Sequence, residues 1–574
     1  MCQSTSRSKD KILSVNDRVA FFSLFHSIQL TPVHYTGHVL TELTPLFSLN
    51  VSEFFVVLFS NKQDTVFNTI FSVSKMVFTV PSDLSGGLYF LNGKRTTIES
   101  TETFDVIEPR IGQVVAKCPK ATADIVDQYV KAAADAQSAW GETTALDRGK
   151  VLHKVADLIR EHAEEIAIWE VKTNGKPIYE ARCDIASSAD TFDFFGGIAT
   201  AVLQGDSLEL PGGPSQRIAY TRREPYGVVG CIGAWNYPFQ TCVWKVAPAL
   251  AAGNAVVYKP SPFAPASPVL LGEILTAAGV PKGVYNVIQG EQEAGVALCE
   301  HNLVAKVSFT GSVASGEAVQ RQAATKNVKP VTLELGGKSE IIIFDDSDVK
   351  SAVASAMLAN FLNQGQVCTN ATRVFVQKGI LASFTEAIVQ EANDKLKVGD
   401  PLLEDTRVGA NINEGHLQRI LGYVESAKQE GGVVLRGGVR VHPTGVEGGA
   451  YFEPAIITGL SDEARAVREE IFGAVMLILP FETEEEVIAR ANNTTYGLAA
   501  GVFSGNLARG HRVAARLQAG TVFINTYNDT EVNVPFGGFK NSGHGRENCI
   551  DTLRAHTQTK AIYVNVQDTT EHCF

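Results

Sequence analysis

Much of what would mark a metalloprotein, a disulfide-stapled secreted domain or a membrane protein is missing from this sequence. Its nine cysteines, Cys2, Cys118, Cys183, Cys231, Cys242, Cys299, Cys368, Cys549 and Cys573, form no C-x-x-C pair and no zinc-finger spacing. Such sparse thiols imply a reduced, intracellular chain, and their odd number leaves at least one unpaired. H-E-x-x-H is absent and the 12 histidines do not cluster, so no metal site is expected. No apolar run reaches the roughly 20 residues of a membrane-spanning helix; the best candidate is Phe54 to Phe59. Arg7, Lys9 and Lys11 precede a stretch broken by polar residues, unlike a cleavable secretory signal. A net charge of −12 withholds the basic face that nucleic acid or an anionic membrane would need. Small molecules are the partners left. The cytoplasm is the expected compartment, with the mitochondrion as the alternative.

What is present is an ordinary globular composition: 574 residues, 45% hydrophobic and 20% charged, enough for large cores and two or more domains. Residues 1–75 are rich in Phe and Ser and keep no period of 3.6 or 2. They read as a targeting segment or, the preferred reading, as an extension, disordered or not native, upstream of a start at Met76.

From Leu88 onward, helical and strand patterns alternate, as in α/β domains. Thr122 is placed to cap a helix whose Ile125, Tyr129 and Ala133 share a face, and Leu152, Val155, Leu158 and Ile159 mark another. Short apolar strands follow at Val228 to Ile232, Ala255 to Tyr258, Val284 to Ile288 and Lys306 to Phe309. Each leads through Gly, Pro or Asn into a helical stretch, which predicts a parallel sheet with ligands at its carboxyl edge. A second series from Ile341 to about Phe536, with strands at Ile341 to Phe344, Arg373 to Val376 and Val475 to Leu479, predicts a second domain. Leu208 to Thr221 and Ala561 to Val566 alternate apolar with polar and belong to neither core. As edge strands they invite pairing with another subunit.

Five segments could carry chemistry. Trp235-Asn236-Tyr237-Pro238 puts an amide donor after a strand, where it could hold an oxyanion or merely make a turn. Lys259-Pro260-Ser261-Pro262 puts a lysine at the sheet edge, free to meet a ribose or phosphate, or simply solvated. Lys306 to Gly316 reads as strand, tight turn at Gly311 and helix beginning near Ser315, with Ser312 adding a hydroxyl; a helix start can cradle a pyrophosphate, although the G-x-G-x-x-G spacing is absent. In Glu334-Leu335-Gly336-Gly337-Lys338 a carboxylate ends an apolar strand, a desolvated position suited to a general base or to a structural hydrogen bond. Gly365-Gln366-Val367-Cys368-Thr369 closes the helical stretch Ala352 to Asn363 and offers a thiol that could attack a carbonyl or could pack as a small hydrophobe.

Together these segments resemble the aldehyde dehydrogenase superfamily over nearly all of residues 88–566. Glu470-Ile471-Phe472-Gly473 and Pro535-Phe536-Gly537-Gly538, running on through Lys540 to Glu547, match further family segments. The resemblance implies an α/β fold with a Rossmann-like cofactor domain (76–206 and 226–336), a second α/β catalytic domain (337–540) and a β-extension for oligomerisation (207–225 and 550–574). It also implies a homo-oligomer, dimer or tetramer, and an aldehyde substrate. Cys368 would be the nucleophile, Glu334 the base that activates water, Asn236 with the Cys368 N–H the oxyanion site, and Lys245 with Glu547 a proton relay. Trp235, Lys259, Ser261, Gly311, Ser312, Leu335, Glu470 and Phe472 would contact the cofactor. NAD is expected there and NADP is the alternative, since Pro262 stands where some relatives hold the ribose with an acid. Ala474 replaces the family's usual proline, a change in loop stiffness.

Residues Pro225 to Gly253 are similar to the aminoaldehyde branch, which includes 4-trimethylaminobutyraldehyde and betaine aldehyde dehydrogenases. Tyr237, Trp244 and Phe536 would then face the substrate, the first two offering rings to a quaternary ammonium or else packing in the core. Asp529 or Glu531 could add negative charge at the tunnel mouth. The alternatives are a broad-specificity aliphatic aldehyde dehydrogenase and a catalytically silent, crystallin-like relative; the second has no need of Cys368, Glu334 and Asn236 together.

Overall fold

The computed structural model describes residues 86–567 together with 32–33, 70–71 and 79–80. The chain divides into two compact units, Met1–Val77 and Phe78–Phe574. In the first, Pro32–Val33 pairs antiparallel with Ile70–Phe71. The reading of residues 1–75 as an unassigned extension otherwise lies outside the described residues.

The second unit is built on two large sheets. Val228–Ile232 and Ala255–Lys259 are buried along their whole length, which is why they read as continuous apolar runs rather than alternating ones. They sit at the centre of an eight-stranded sheet whose order is Gly543–His544, Val331–Glu334, Val304–Thr310, Val228–Ile232, Ala255–Lys259, Tyr285–Val287, Tyr89–Leu91, Lys94–Thr96. The five central strands are parallel. The chain order reverses between Val228–Ile232 and Val304–Thr310, the topological switch point where open α/β sheets bind ligands.

Helices cover the sheet. Thr122 caps Ala123–Glu142 by accepting from Ile125 N. Ile178–Val202 buries Ala181, Ile185, Ala189, Phe192, Phe195 and Ala199, a stripe at helical spacing. The second sheet has seven strands, in the order Val433–Arg436, Ala455–Thr458, Val475–Phe481, Arg373–Gln377, Glu340–Ile343, Ala499–Phe503, Thr521–Ile524, parallel except at the first pair.

The third element corrects an expectation. Leu208 to Thr221 is not one strand: Ser207–Glu209 and Arg217–Pro225 form a hairpin. The terminal strand Thr557–Asn565 pairs antiparallel with Arg217–Pro225 of the same chain over nine residues. Arg217–Pro225 is thus the central strand, and Ser207–Glu209 and Thr557–Asn565 are the two edges of a three-stranded sheet. Among the described residues, no helix is long and apolar enough to cross a membrane.

Candidate active site

A cavity of about 1270 Å3 runs between the carboxyl edge of the eight-stranded sheet and the second sheet, and Cys368, Glu334 and Asn236 all line it. The nucleophile loop is tightly specified. The helix Val349–Phe361 ends two residues before the sequence predicts, and Asn363 (φ 47°) and Gln364 (φ 56°) follow in the left-handed region. At Gly365 (φ 72°) a Cβ would lie 2.2 Å from the Gly473 carbonyl carbon, so only glycine fits. Side chains hold this strained turn: Glu180 accepts from Asn363 N at 2.7 Å, and Gln364 Nε2 donates to Gly175 O at 3.0 Å and Ala410 O at 2.6 Å. Cys368 emerges half-buried. Burial, then the charges of Glu334 and Glu470, push its thiol up to about 12, so the resting group is the thiol and not the thiolate.

Asn236 Nδ2 donates to Gln366 O at 2.9 Å, which occupies one of its two N–H donors and leaves the other for a ligand. Its backbone carbonyl accepts from Asn363 Nδ2 at 2.8 Å and Asn174 Nδ2 at 3.1 Å. Glu334 ends the strand Val331–Glu334, buried, and neither carboxyl oxygen has a hydrogen-bond partner. Burial and the neighbouring Glu547 charge drive its pKa well above the ordinary range against weaker pulls from Lys245 and Arg546. Lys245 and Glu547 do not line the cavity. They sit behind Glu334 as a buried pair, Nζ to Oε1 2.5 Å, with Ser308 Oγ 3.1 Å from Nζ.

The cofactor candidates Trp235, Lys259, Ser261, Gly311, Ser312, Leu335, Glu470 and Phe472 all line the same cavity. The helix after Gly311 begins at Val313, earlier than expected, because Ser312 is its N-cap and accepts from Ser315 N at 3.3 Å. The Ser312 hydroxyl is thus already engaged. Lys259 is not solvated: it is 5% exposed, its ammonium donates to Pro260 O, and burial lowers it to about 8. Gly295 of the helix Gln292–Glu300 lies over the lysine stem, which the sequence pattern could not reveal. Glu470 accepts from Gly337 N at 3.0 Å, and a Cβ on Gly336 would come within 2.2 Å of its carboxylate.

Tyr237, Trp244 and Phe536 line the other end of the cavity, with Trp244 and Phe536 ring centroids 5.1 Å apart. One face of Tyr237 is already taken, because the buried ammonium of Lys176 lies 3.8 Å from its ring centroid and is paired with Asp184 at 2.5 Å. Asp529 and Glu531 are not among the lining residues; Asn528, Thr530 and Asp184 are. Sequence reasoning also missed His416, whose ring packs 5.2 Å from Trp235 and whose Nε2 contacts Phe472 O. The run Asn174-Gly175-Lys176-Pro177 was the available signal for the Lys176 pair, and nothing local marked His416.

This arrangement, a thiol, an unpartnered carboxyl and an amide donor on one cavity at a sheet switch point, is that of a covalent dehydrogenase. Comparison with known proteins agrees: residues 96–562 match the model of the aldehyde dehydrogenase family, and the chain belongs to that family. It is 49% identical over 499 residues to rat (Rattus norvegicus) 4-trimethylaminobutyraldehyde dehydrogenase, covering 87% of this chain and 99% of the relative. It is 50% identical over 484 residues to the protein of that name from Oryzias latipes, covering 84% and 95%. A crystal structure of a betaine aldehyde dehydrogenase point mutant from Staphylococcus aureus in complex with NAD+ superposes with a TM-score of 0.80 at 35% identity, covering 85% of this chain and 99% of that one.

Proposed function

We propose that the chain is an NAD-dependent dehydrogenase that oxidises 4-trimethylaminobutyraldehyde or a related aminoaldehyde to its carboxylate through a thioester on Cys368. The observation that carries this is the convergence of Cys368, Glu334 and Asn236 on one cavity whose wall continues to Lys259 and to the helix start at Ser312. That wall fits a dinucleotide: a helix N-terminus at the switch point for the pyrophosphate, and the Lys259 ammonium beside Ser261 for the adenosine ribose. NAD, when bound, supplies the hydride acceptor.

The chain's own groups do the rest. The Cys368 thiol gives its proton to water in the cavity and its sulfur bonds to the aldehyde carbon, while the carbonyl electrons move onto oxygen, held by the free Asn236 N–H and the Cys368 backbone N–H. As the oxyanion collapses, the same carbon loses hydride and becomes a thioester. Glu334, its oxygens unpartnered and its pKa raised, takes a proton from water as the water oxygen attacks that carbon and the Cys368 sulfur departs. Glu547 and Lys245 stand behind Glu334 to pass the proton on.

The same reading takes residues 76–206 with 226–336 as the cofactor domain, 337–540 as the catalytic domain, and the strands within 207–225 and 550–574 as a homo-oligomer contact. It places the enzyme in the cytoplasm with a role in carnitine synthesis. A second reading, broad specificity for aliphatic aldehydes, is favoured by the Tyr237 face that Lys176 already covers. Initial rates with NAD and NADP against 4-trimethylaminobutyraldehyde, betaine aldehyde and hexanal separate the two. A desolvated cation–π contact to Trp244 should favour the cationic aldehydes in kcat/KM by about tenfold or more. Equal values for hexanal would establish the broad reading.

A further inference from the structure

Two neighbouring strands deliver the residues at the far end of the cavity from Cys368. Ala255–Lys259 and Tyr285–Val287 run parallel with Tyr258 beside Val287, so the segments that follow them emerge together at the carboxyl edge of the sheet. The first segment brings Lys259 and Ser261 to the cavity, and the second brings Glu291 and Gly295. Between strand and helix in the second segment the chain turns at Gly290 (φ 144°), where a Cβ would lie 2.7 Å from Ala294 Cβ. A Cβ on Gly295 would lie 3.8 Å from Lys259 Cδ, which sets the helix Gln292–Glu300 over the lysine stem. Glu291 stands one turn earlier. Burial lowers the Lys259 ammonium to about 8, and the Glu291 charge is the first of those that pull it back up.

Glu291 occupies the N-cap of that helix, yet its side chain accepts nothing from the first turn. Serine, threonine, aspartate or asparagine would serve as the cap, and glutamate is not among the preferred residues. Its carboxylate turns instead to Lys120, Nζ to Oε2 at 2.7 Å, and Glu102 lies 3.6 Å from the same ammonium. Two carboxylates around one ammonium leave net negative charge. Neither Lys120 nor Glu102 lines the cavity, whereas Glu291 does, with 49% of its side chain exposed. Pro262 offers no side-chain acceptor and no N–H. Among the described residues that line this end, at 259–263 and 291–299, Lys259 is the one cation and Glu291 the one acid.

We infer that Glu291 selects NAD over NADP: its carboxylate accepts from the adenosine 2′-hydroxyl and repels a 2′-phosphate, the task that Pro262 leaves undone. The inference rests on reading this cavity as a dinucleotide site. Lys259 cannot make the choice, because an ammonium donates to a hydroxyl and to a phosphate alike, and by itself it would favour the charged group. A carboxylate is different in kind, since it accepts only. A ribose hydroxyl can donate to it, and the ion pair with Lys120 holds it in place while leaving lone pairs for that second donor. A 2′-phosphate has no proton to offer in its dianionic form and adds up to two negative charges beside a third. Near a protein surface one such repulsion at contact distance is worth about tenfold or more in affinity, and added salt weakens it.

The test is calorimetric binding of 5′-ADP and 2′,5′-ADP to the full chain and to Glu291→Gln, which reads this end of the site with no aldehyde and no hydride transfer. The parent should prefer 5′-ADP. In Glu291→Gln, 2′,5′-ADP should tighten by about tenfold at low ionic strength, 5′-ADP should weaken by a few-fold, and both changes should shrink in added salt. The ratio of kcat/KM for NADP to that for NAD should rise in parallel. A parent that binds the two nucleotides equally would overturn the assignment, as would a ratio of dissociation constants that Glu291→Gln leaves unchanged, including the case in which both constants shift together. The two claims fail separately. If neither 5′-ADP nor NAD binds the parent, the cavity is not a dinucleotide site; if both bind and the ratio ignores Glu291→Gln, the role given to Glu291 alone is lost.

Discussion

Two sets of buried glutamates in this molecule behave differently. Under the tunnel and in the second sheet, Glu170, Glu180 and Glu340 are buried and fully engaged. Glu170 accepts from Phe239 N at 3.1 Å and Ser267 Oγ at 2.8 Å. Glu180 accepts from Asn363 N and from the Tyr179 hydroxyl, each at 2.7 Å, and Glu340 is paired with Arg373. At the carboxyl edge of the cofactor sheet, Glu334 is equally buried and has no hydrogen-bond partner. Burial raises the pKa of all four. What distinguishes them is satisfaction: a carboxyl that must bind a backbone is given its donors, and one that must meet a water and take its proton is left without them.

The largest expected effect tests the unpartnered member. Glu334→Gln preserves shape and removes the base, so turnover should fall by at least about a hundredfold, within the range for losing a general base. A stoichiometric burst of NADH should survive, because sulfur addition and hydride loss do not need Glu334 to act on water. Stopped-flow absorbance of NADH measures both quantities, and turnover within a few-fold of the parent would erase the contrast between the two sets.

The partnered set predicts the reverse pattern. Glu180→Ala leaves the Asn363 N–H and the Tyr179 hydroxyl without an acceptor in the interior, at a cost of about 2–4 kcal/mol. The unfolding midpoint should drop, and Glu180→Gln, which keeps an acceptor, should recover most of it. Thermal denaturation decides. An unchanged midpoint in Glu180→Ala would mean that the brace on the left-handed Asn363-Gln364 turn contributes little.

How much of this could be read without coordinates follows the same division. Cys368, Glu334 and Asn236 lie next to glycines, strand ends and prolines, and such local signals mark backbone that approaches a ligand. The switch-point sheet was legible too, since Val228–Ile232 and Ala255–Lys259 are unbroken apolar runs. The bracing contacts were not. Glu180 and Asn363 are 183 positions apart, and Lys176 covers Tyr237 only because the start of one helix packs under the start of another. The burial of Lys259 was equally hidden, because the helix that covers it comes more than thirty residues later. The terminal strand read as an edge, which it is, but nothing in its own alternation says that its inner side pairs with Arg217–Pro225.

The smallest expected effect concerns the nucleophile itself and links both sets. Burial, Glu334 and Glu470 hold the Cys368 thiol up to about 12 in the absence of ligands. A thiol far below its pKa gains about tenfold in thiolate per pH unit. The rate of iodoacetamide addition at Cys368, followed by mass spectrometry of its peptide to separate it from the exposed Cys183, should therefore climb steadily from pH 6 to pH 10 without a plateau. Replacing Glu334 by Gln removes the second-largest cause of the raised value. The thiol pKa should move down, and the alkylation rate at any fixed pH in that range should rise by a few-fold. A plateau near pH 7 in the parent would show a thiolate already stabilised at rest, and Cys368 would then need no partner to release its proton.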